Sequence, residues 1–96
     1  MIKSKEEKYK YRVIWKRKVE RQIYKCPKIV QQKFWTLVKD LREKGPIQRG
    51  WRNFSKLDEN EYHCHLDYSW VAVWNCERES IIVEVVYVGS REKAPY

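Results

Sequence analysis

Residues 28–45 constrain the fold most. Val30, Phe34, Leu37, Val38 and Leu41 fall at i, i+4, i+7, i+8 and i+11. That spacing lays five apolar side chains along one face of a helix. Pro27 sits where the helix can begin, because proline is tolerated at a first helical position. Lys39, Arg42 and Lys44 crowd the last turns, where cations suit the helix dipole. Gly45-Pro46 stops the helix. An apolar stripe of this kind has to press on another element, so it is read as core, with no cofactor implied.

The flanking segments supply that other element. Val19, Ile23 and Cys26 follow helical spacing and predict a short helix over Arg17–Lys25. Ahead of it, Tyr9, Tyr11, Val13 and Trp15 alternate with Lys8, Lys10, Arg12 and Lys16, as in a strand with one apolar and one basic face. Ile14 is the misfit on the basic side. Residues 1–7 read as a loose tail. After the stop, 47–61 has no clean period, and Gly50, Asn53, Asp58 and Asn60 mark turns. Three strands follow. They are Tyr62–Leu66, Trp70–Asn75 and Ile81–Val88, separated by turns at 67–69 and 77–80, with Gly89 expected to break the last. The expectation is a single α+β domain over 1–96. It has a mostly antiparallel four-stranded sheet, two helices packed on one face and the other face open.

Charge bears on partners. Net charge is +8, unevenly spread. Residues 1–56 carry 18 Lys and Arg against 5 Asp and Glu, a balance of +13, whereas 57–96 carry 3 against 8, a balance of −5. A basic half points to a polyanion or an acidic protein, with nucleic acid the commonest such partner. A merely solvated basic surface is the plainer reading. No apolar run is long enough for a membrane span, and no signal peptide is evident. Cys26, Cys64 and Cys76 are odd in number and lack a C-x-x-C pair, which favours reduced, mostly buried thiols and a cytoplasmic address.

Chemistry concentrates in Tyr62-His63-Cys64-His65-Leu66. Alternation puts Tyr62, Cys64 and Leu66 on one side of the strand and His63 and His65, the only two histidines, on the other. Their imidazoles then stand roughly 6–7 Å apart along the strand. Imidazole is the side chain whose ordinary pKa lies near neutrality, which suits proton transfer. A purely structural pair on a solvated face is the alternative. Metal binding fits less well, because Cys64 points away and no further Cys/His pair completes a tetrahedral set. In 47–61, Arg49, Trp51, Arg52, Phe54 and Lys56 interleave cations with aromatics, a mixture that meets phosphates and stacks on bases. Trp51 and Phe54 are equally suited to packing this connection onto the sheet.

The element order resembles that of the RelE/ParE superfamily, the toxins of type II toxin–antitoxin systems. So do Tyr62-His63-Cys64-His65-Leu66, Val71-Ala72-Val73-Trp74 and the run from Tyr87-Val88-Gly89-Ser90-Arg91 to Tyr96. The resemblance implies a RelE-like β-α-α-β-β-β fold and a metal-independent mRNA endoribonuclease without a cofactor. It implies entry into the ribosomal A site and attack of a ribose 2′-OH on the adjacent phosphate. His63 and His65 stand where such toxins carry two basic residues, usually lysines. Arg91 stands at their catalytic arginine, and Tyr96 at their aromatic near the C-terminus. A cognate antitoxin is the implied protein partner. Lys93 joins Arg49, Trp51, Arg52 and Lys56 as an expected RNA contact. One departure is the pair Trp70-Val71, where such toxins often carry an arginine. The resemblance also leaves two alternatives open, a ParE-like non-catalytic inhibitor of DNA gyrase and a non-catalytic RNA-binding module.

Overall fold

The computed structural model describes residues 9–96. The expected tail at 1–7 lies outside them. The apolar stripe becomes helix α2 (Lys28–Lys44), with Val30, Phe34, Leu37, Val38 and Leu41 all buried. Pro27 sits one place before the helix as its N-cap, and its carbonyl accepts from the Val30 and Gln31 amides at 2.9 and 3.0 Å. Gly45 ends α2 with φ +89°, and the Tyr11 ring lies so close that a Cβ would stand 2.5 Å from it. Only glycine meets both conditions. Helix α1 (Arg17–Lys25) buries Val19 and Ile23.

Among the described residues the sheet has five strands in the order β1-β5-β4-β3-β2. These are β1 (Arg12–Trp15), β2 (Ser55–Asp58), β3 (Glu61–Asp67), β4 (Trp70–Asn75) and β5 (Ile82–Ser90). The α+β reading stands, and the expected four strands are joined by β2, from the stretch without a period. Its residues Ser-Lys-Leu-Asp lack the β-branched and aromatic types that mark strands. Antiparallel pairing with β3 holds it, with a bulge between Lys56 and Asp58. Strand β1 runs parallel to β5, and the other pairs are antiparallel. It is shorter than its alternation suggests, because the Tyr11 amide bonds to the Arg42 carbonyl of α2 at 3.0 Å rather than to the sheet.

Gly89 does not break β5. A Cβ there would stand 2.7 Å from the Tyr87 hydroxyl, which donates to the Ser90 carbonyl at 2.8 Å. The glycine is needed for space beneath that ring, not for a turn. Beyond the end of β1, the Val88 amide is satisfied by the Gln22 side chain of α1 at 3.0 Å.

The core lies between the helices and one sheet face. Ile23, Phe34, Leu37 and Leu41 meet Cys64, Leu66, Ala72, Trp74, Val83, Val85 and Val88. Burying each large side chain is favourable by about 1.5–3 kcal/mol. The Trp74 indole is fully buried and donates to the Pro46 carbonyl at 3.1 Å, and Phe54 and Tyr62 stack beside it. All three cysteines are buried and free. No helix among the described residues is long and apolar enough to cross a membrane.

Candidate active site

Register assembles the site on the sheet face away from the helices. His63 pairs with Val73, and Val73 with Tyr87; His65 pairs with Val71, and Val71 with Gly89. Paired residues share a face, so both imidazoles lie among Val71, Val73 and Tyr87. Their rings stand 5.8 Å apart, centroid to centroid, in an edge-to-face arrangement.

The expectation of an open face is corrected here. His63 is only 7% exposed and His65 8%, and Val71 and Val73 are fully buried. After β5 the chain forms a 3-10 turn at Arg91–Lys93 and then brings the Tyr96 ring to 4.6 Å from the His63 ring. The turn is fixed at its start. The Arg91 amide donates to the Ser69 carbonyl at 2.7 Å, and the Ser90 hydroxyl accepts from the Lys93 amide at 3.4 Å. Thus His63, His65 and Tyr96 converge, with Arg91 close enough to act electrostatically on His65 and Tyr96.

The environment separates the proton affinities of these groups. Burial, reinforced by the neighbouring His65, holds the His63 pKa below the usual imidazole value, against a hydrogen bond with the Ser55 backbone. Burial and then the Arg91 guanidinium lower that of His65, opposed by a bond with the Tyr68 backbone and aided by Arg52. Burial pushes the Tyr96 phenol up, with Arg91 pulling the other way and Tyr87 and Cys64 adding to the rise. At neutral pH the site therefore holds two uncharged imidazoles, both able to accept a proton, and a phenol that keeps its own. Cys64 lies on the helix side of β3, and burial keeps its thiol well up.

The cations read as RNA contacts separate in space. Arg52 is beside the histidines, and its carbonyl accepts from the His65 amide at 2.8 Å. With Lys33, Thr36, Trp51 and Asp67 it borders a depression of about 280 Å³ that reaches His65. Trp51 is half-buried, packs against the core and donates its indole N–H to Asp40 at 2.9 Å, so part of its surface is spent on packing. Arg49 is exposed in the preceding turn. Lys56 pairs with Tyr62, which puts it on the opposite side of the strand from His63. Lys93 lines a separate depression against α1, with Gln22, Trp70 and Tyr87.

Two residues at the site were not among the expected site residues. Tyr87 lies in the row of His63. Ser55 places its hydroxyl 3.0 Å from the His63 Nδ1. Recognising β2 as a strand, and counting its register against β3, would have found Ser55.

No protein-family model matches this chain, and no curated protein matches it. Solved structures do. The archaeal RelE–RelB complex from Pyrococcus horikoshii OT3 is similar at TM-score 0.70 and 14% identity, over 88% of this chain and 99% of that one. A mutant of the E. coli toxin RelE in the free state is similar at TM-score 0.67 and 18% identity, over 88% and 86%. The YoeB dimer from Staphylococcus aureus is similar at TM-score 0.66 and 12% identity, over 83% and 95%. At such identities the likeness is one of backbone. Two helices on one face of a five-stranded mixed sheet, over nearly the full length of these proteins, make this chain RelE-like in fold.

Proposed function

We propose that the protein is the toxin of a toxin–antitoxin pair and acts in the cytoplasm as a metal-independent endoribonuclease on mRNA in the ribosomal A site. The observation that carries the proposal is the convergence of the His63, His65 and Tyr96 rings near Arg91, where burial favours neutral imidazoles and a protonated phenol. Cleavage by internal attack needs those functions. An imidazole of the pair takes the 2′-OH proton as the ribose oxygen bonds to phosphorus. The Arg91 guanidinium, whose fork matches phosphate oxygens, stabilises the negative charge that grows there. The bond from phosphorus to the 5′-oxygen breaks, and the Tyr96 hydroxyl returns a proton to that oxygen. The products are a 2′,3′-cyclic phosphate and a 5′-hydroxyl, and the chemistry requires neither metal nor cofactor.

Arg52, with Arg49 nearby in sequence, gives the strand a basic approach through the depression beside His65. The Pyrococcus relative was solved with RelB, which supports an antitoxin partner for this chain as well. The +13 half offers such a partner a basic surface.

Induced expression of wild type beside His63→Ala/His65→Ala, with primer extension on a reporter mRNA, tests the reading. Growth arrest with cuts at in-frame codon positions is expected from wild type, and the double variant should lose at least 100-fold of the cleavage, the low end for a general acid–base group. Arrest without cuts would overturn it in favour of a non-catalytic inhibitor such as one of gyrase. The pH profile checks the acid and base assignment. Cleavage should rise along an acidic limb whose apparent pKa lies below about 6.5 and stay level up to about pH 9.

A further inference from the structure

Ser55 stands opposite His63 in the β2–β3 pairing, with its Oγ 3.0 Å from Nδ1. A serine hydroxyl serves either neutral tautomer, since it donates to a bare Nδ1 and accepts from Nδ1–H. In both cases the hydroxyl occupies Nδ1, adding to the bond that the Ser55 backbone makes with the ring, and Nε2 is the nitrogen left to exchange a proton with a bound molecule. Other contacts limit how the ring can turn. His65 lies against it at 5.8 Å and Tyr96 at 4.6 Å, so a flipped imidazole would give up the hydroxyl without open space to turn into. The local strand geometry fits this task. The bulge in β2 falls after Lys56, so pairing is regular at Ser55 and the strand departs only beyond it.

We infer that Ser55 is a positioning residue, which holds the His63 imidazole by Nδ1 and so presents Nε2 as the ring's reacting nitrogen. Its consequence for catalysis rests on the nuclease reading above. Ser55 touches no reacting atom in this scheme. It acts on the orientation of a residue that does, as the partners of functional histidines do elsewhere.

Ser55→Val and Ser55→Thr test it as a pair, because the two side chains share a shape suited to an edge strand and differ in the hydroxyl. The first readout is the ¹⁵N spectrum of the His63 ring nitrogens in the whole protein. Ser55→Val should move the Nδ1 shift away from its wild-type value, and Ser55→Thr should leave it near that value, because only the valine lacks the hydroxyl that meets this nitrogen. The second readout is mRNA cleavage. Ser55→Val should lower kcat about threefold to tenfold, the range of one neutral hydrogen bond. KM should stay within about twofold, the acidic limb of the pH profile should move, and Ser55→Thr should restore it. Identical His63 shifts in wild type and Ser55→Val would overturn the inference, as would unchanged kcat in a wild type that cleaves. If wild type does not cleave, the spectrum still decides. A ring that Ser55→Val unlocks upholds the positioning while the nuclease reading fails.

Discussion

Acid penalises a folded state that holds two histidines uncharged. His63 and His65 have pKa values below the ordinary imidazole value, with burial the leading cause for each. In the unfolded chain they titrate near 6.5. Between the folded and unfolded values the unfolded state binds more protons, so stability rises with pH across that window. The contribution is fully present above about pH 6.5 and is lost as the pH falls through it. Thermal unfolding followed from pH 7.5 to pH 5 should show a falling midpoint for wild type and a flatter profile for His63→Gln/His65→Gln. At this scale the histidine pair was legible, because period-two alternation puts both rings on one face whatever surrounds them. Their burial was not legible. It depends on the return of residues 91–96 across the sheet, and nothing in an Arg-Glu-Lys-Ala-Pro-Tyr string announces where it will lie.

Elements were legible in proportion to how far their own side chains define them. Helix α2 and strand β3 carry full periods, and β4 and β5 are apolar runs rich in β-branched and aromatic residues between turns, so their places follow from their own side chains. Strand β2 exists because β3 has an unfilled edge, a property of β3 that Ser-Lys-Leu-Asp does not record. The two glycines of β5 and the α2 stop behave differently for a related reason. Gly45 was readable as a stop because helix termini favour glycine, whereas Gly89 serves a ring two residues away. Replacing Gly45 by Ala should destabilise by about 1–3 kcal/mol, since it strains φ and meets the Tyr11 ring. In a domain this small that lowers the melting midpoint by roughly 4–24 °C, read by circular dichroism. Phe34→Ala, at a fully buried position in the stripe, should cost about 3–5 kcal/mol in urea unfolding with the slope unchanged.

Across the whole molecule, charge and topology divide the chain differently. The basic excess lies in 1–56, yet His63, His65, Arg91 and Tyr96 all come from the acidic remainder. In the proposed function the basic half therefore contributes RNA contacts, chiefly Arg52, to a site whose reacting groups come from the other half. Binding of a single-stranded RNA should weaken roughly 20-fold between 50 and 200 mM salt if three phosphates are contacted, and Arg52→Ala should reduce the logarithmic slope by about 0.7. Fluorescence anisotropy measures both. The overall α+β class was legible from the order of periods, whereas the pairing of β1 with β5 was not, because alternation says nothing about which neighbour a strand will choose.

That pairing has a temporal consequence. Arg12 meets Ile82 and Trp15 meets Val85, so each contact spans 70 positions of chain. A closure that long carries an entropic cost before any bond rewards it. A nascent chain that has emerged only as far as residue 80 has β3 and β4 for its helices to pack on but lacks Val83, Val85 and Val88 of β5. Residue 91, and with it the proposed phosphate-binding arginine, follows directly after the strand that closes the sheet. Closure of the sheet at β1–β5 and the placement of Arg91 therefore come last in synthesis, and a chain cut short before residue 82 lacks both.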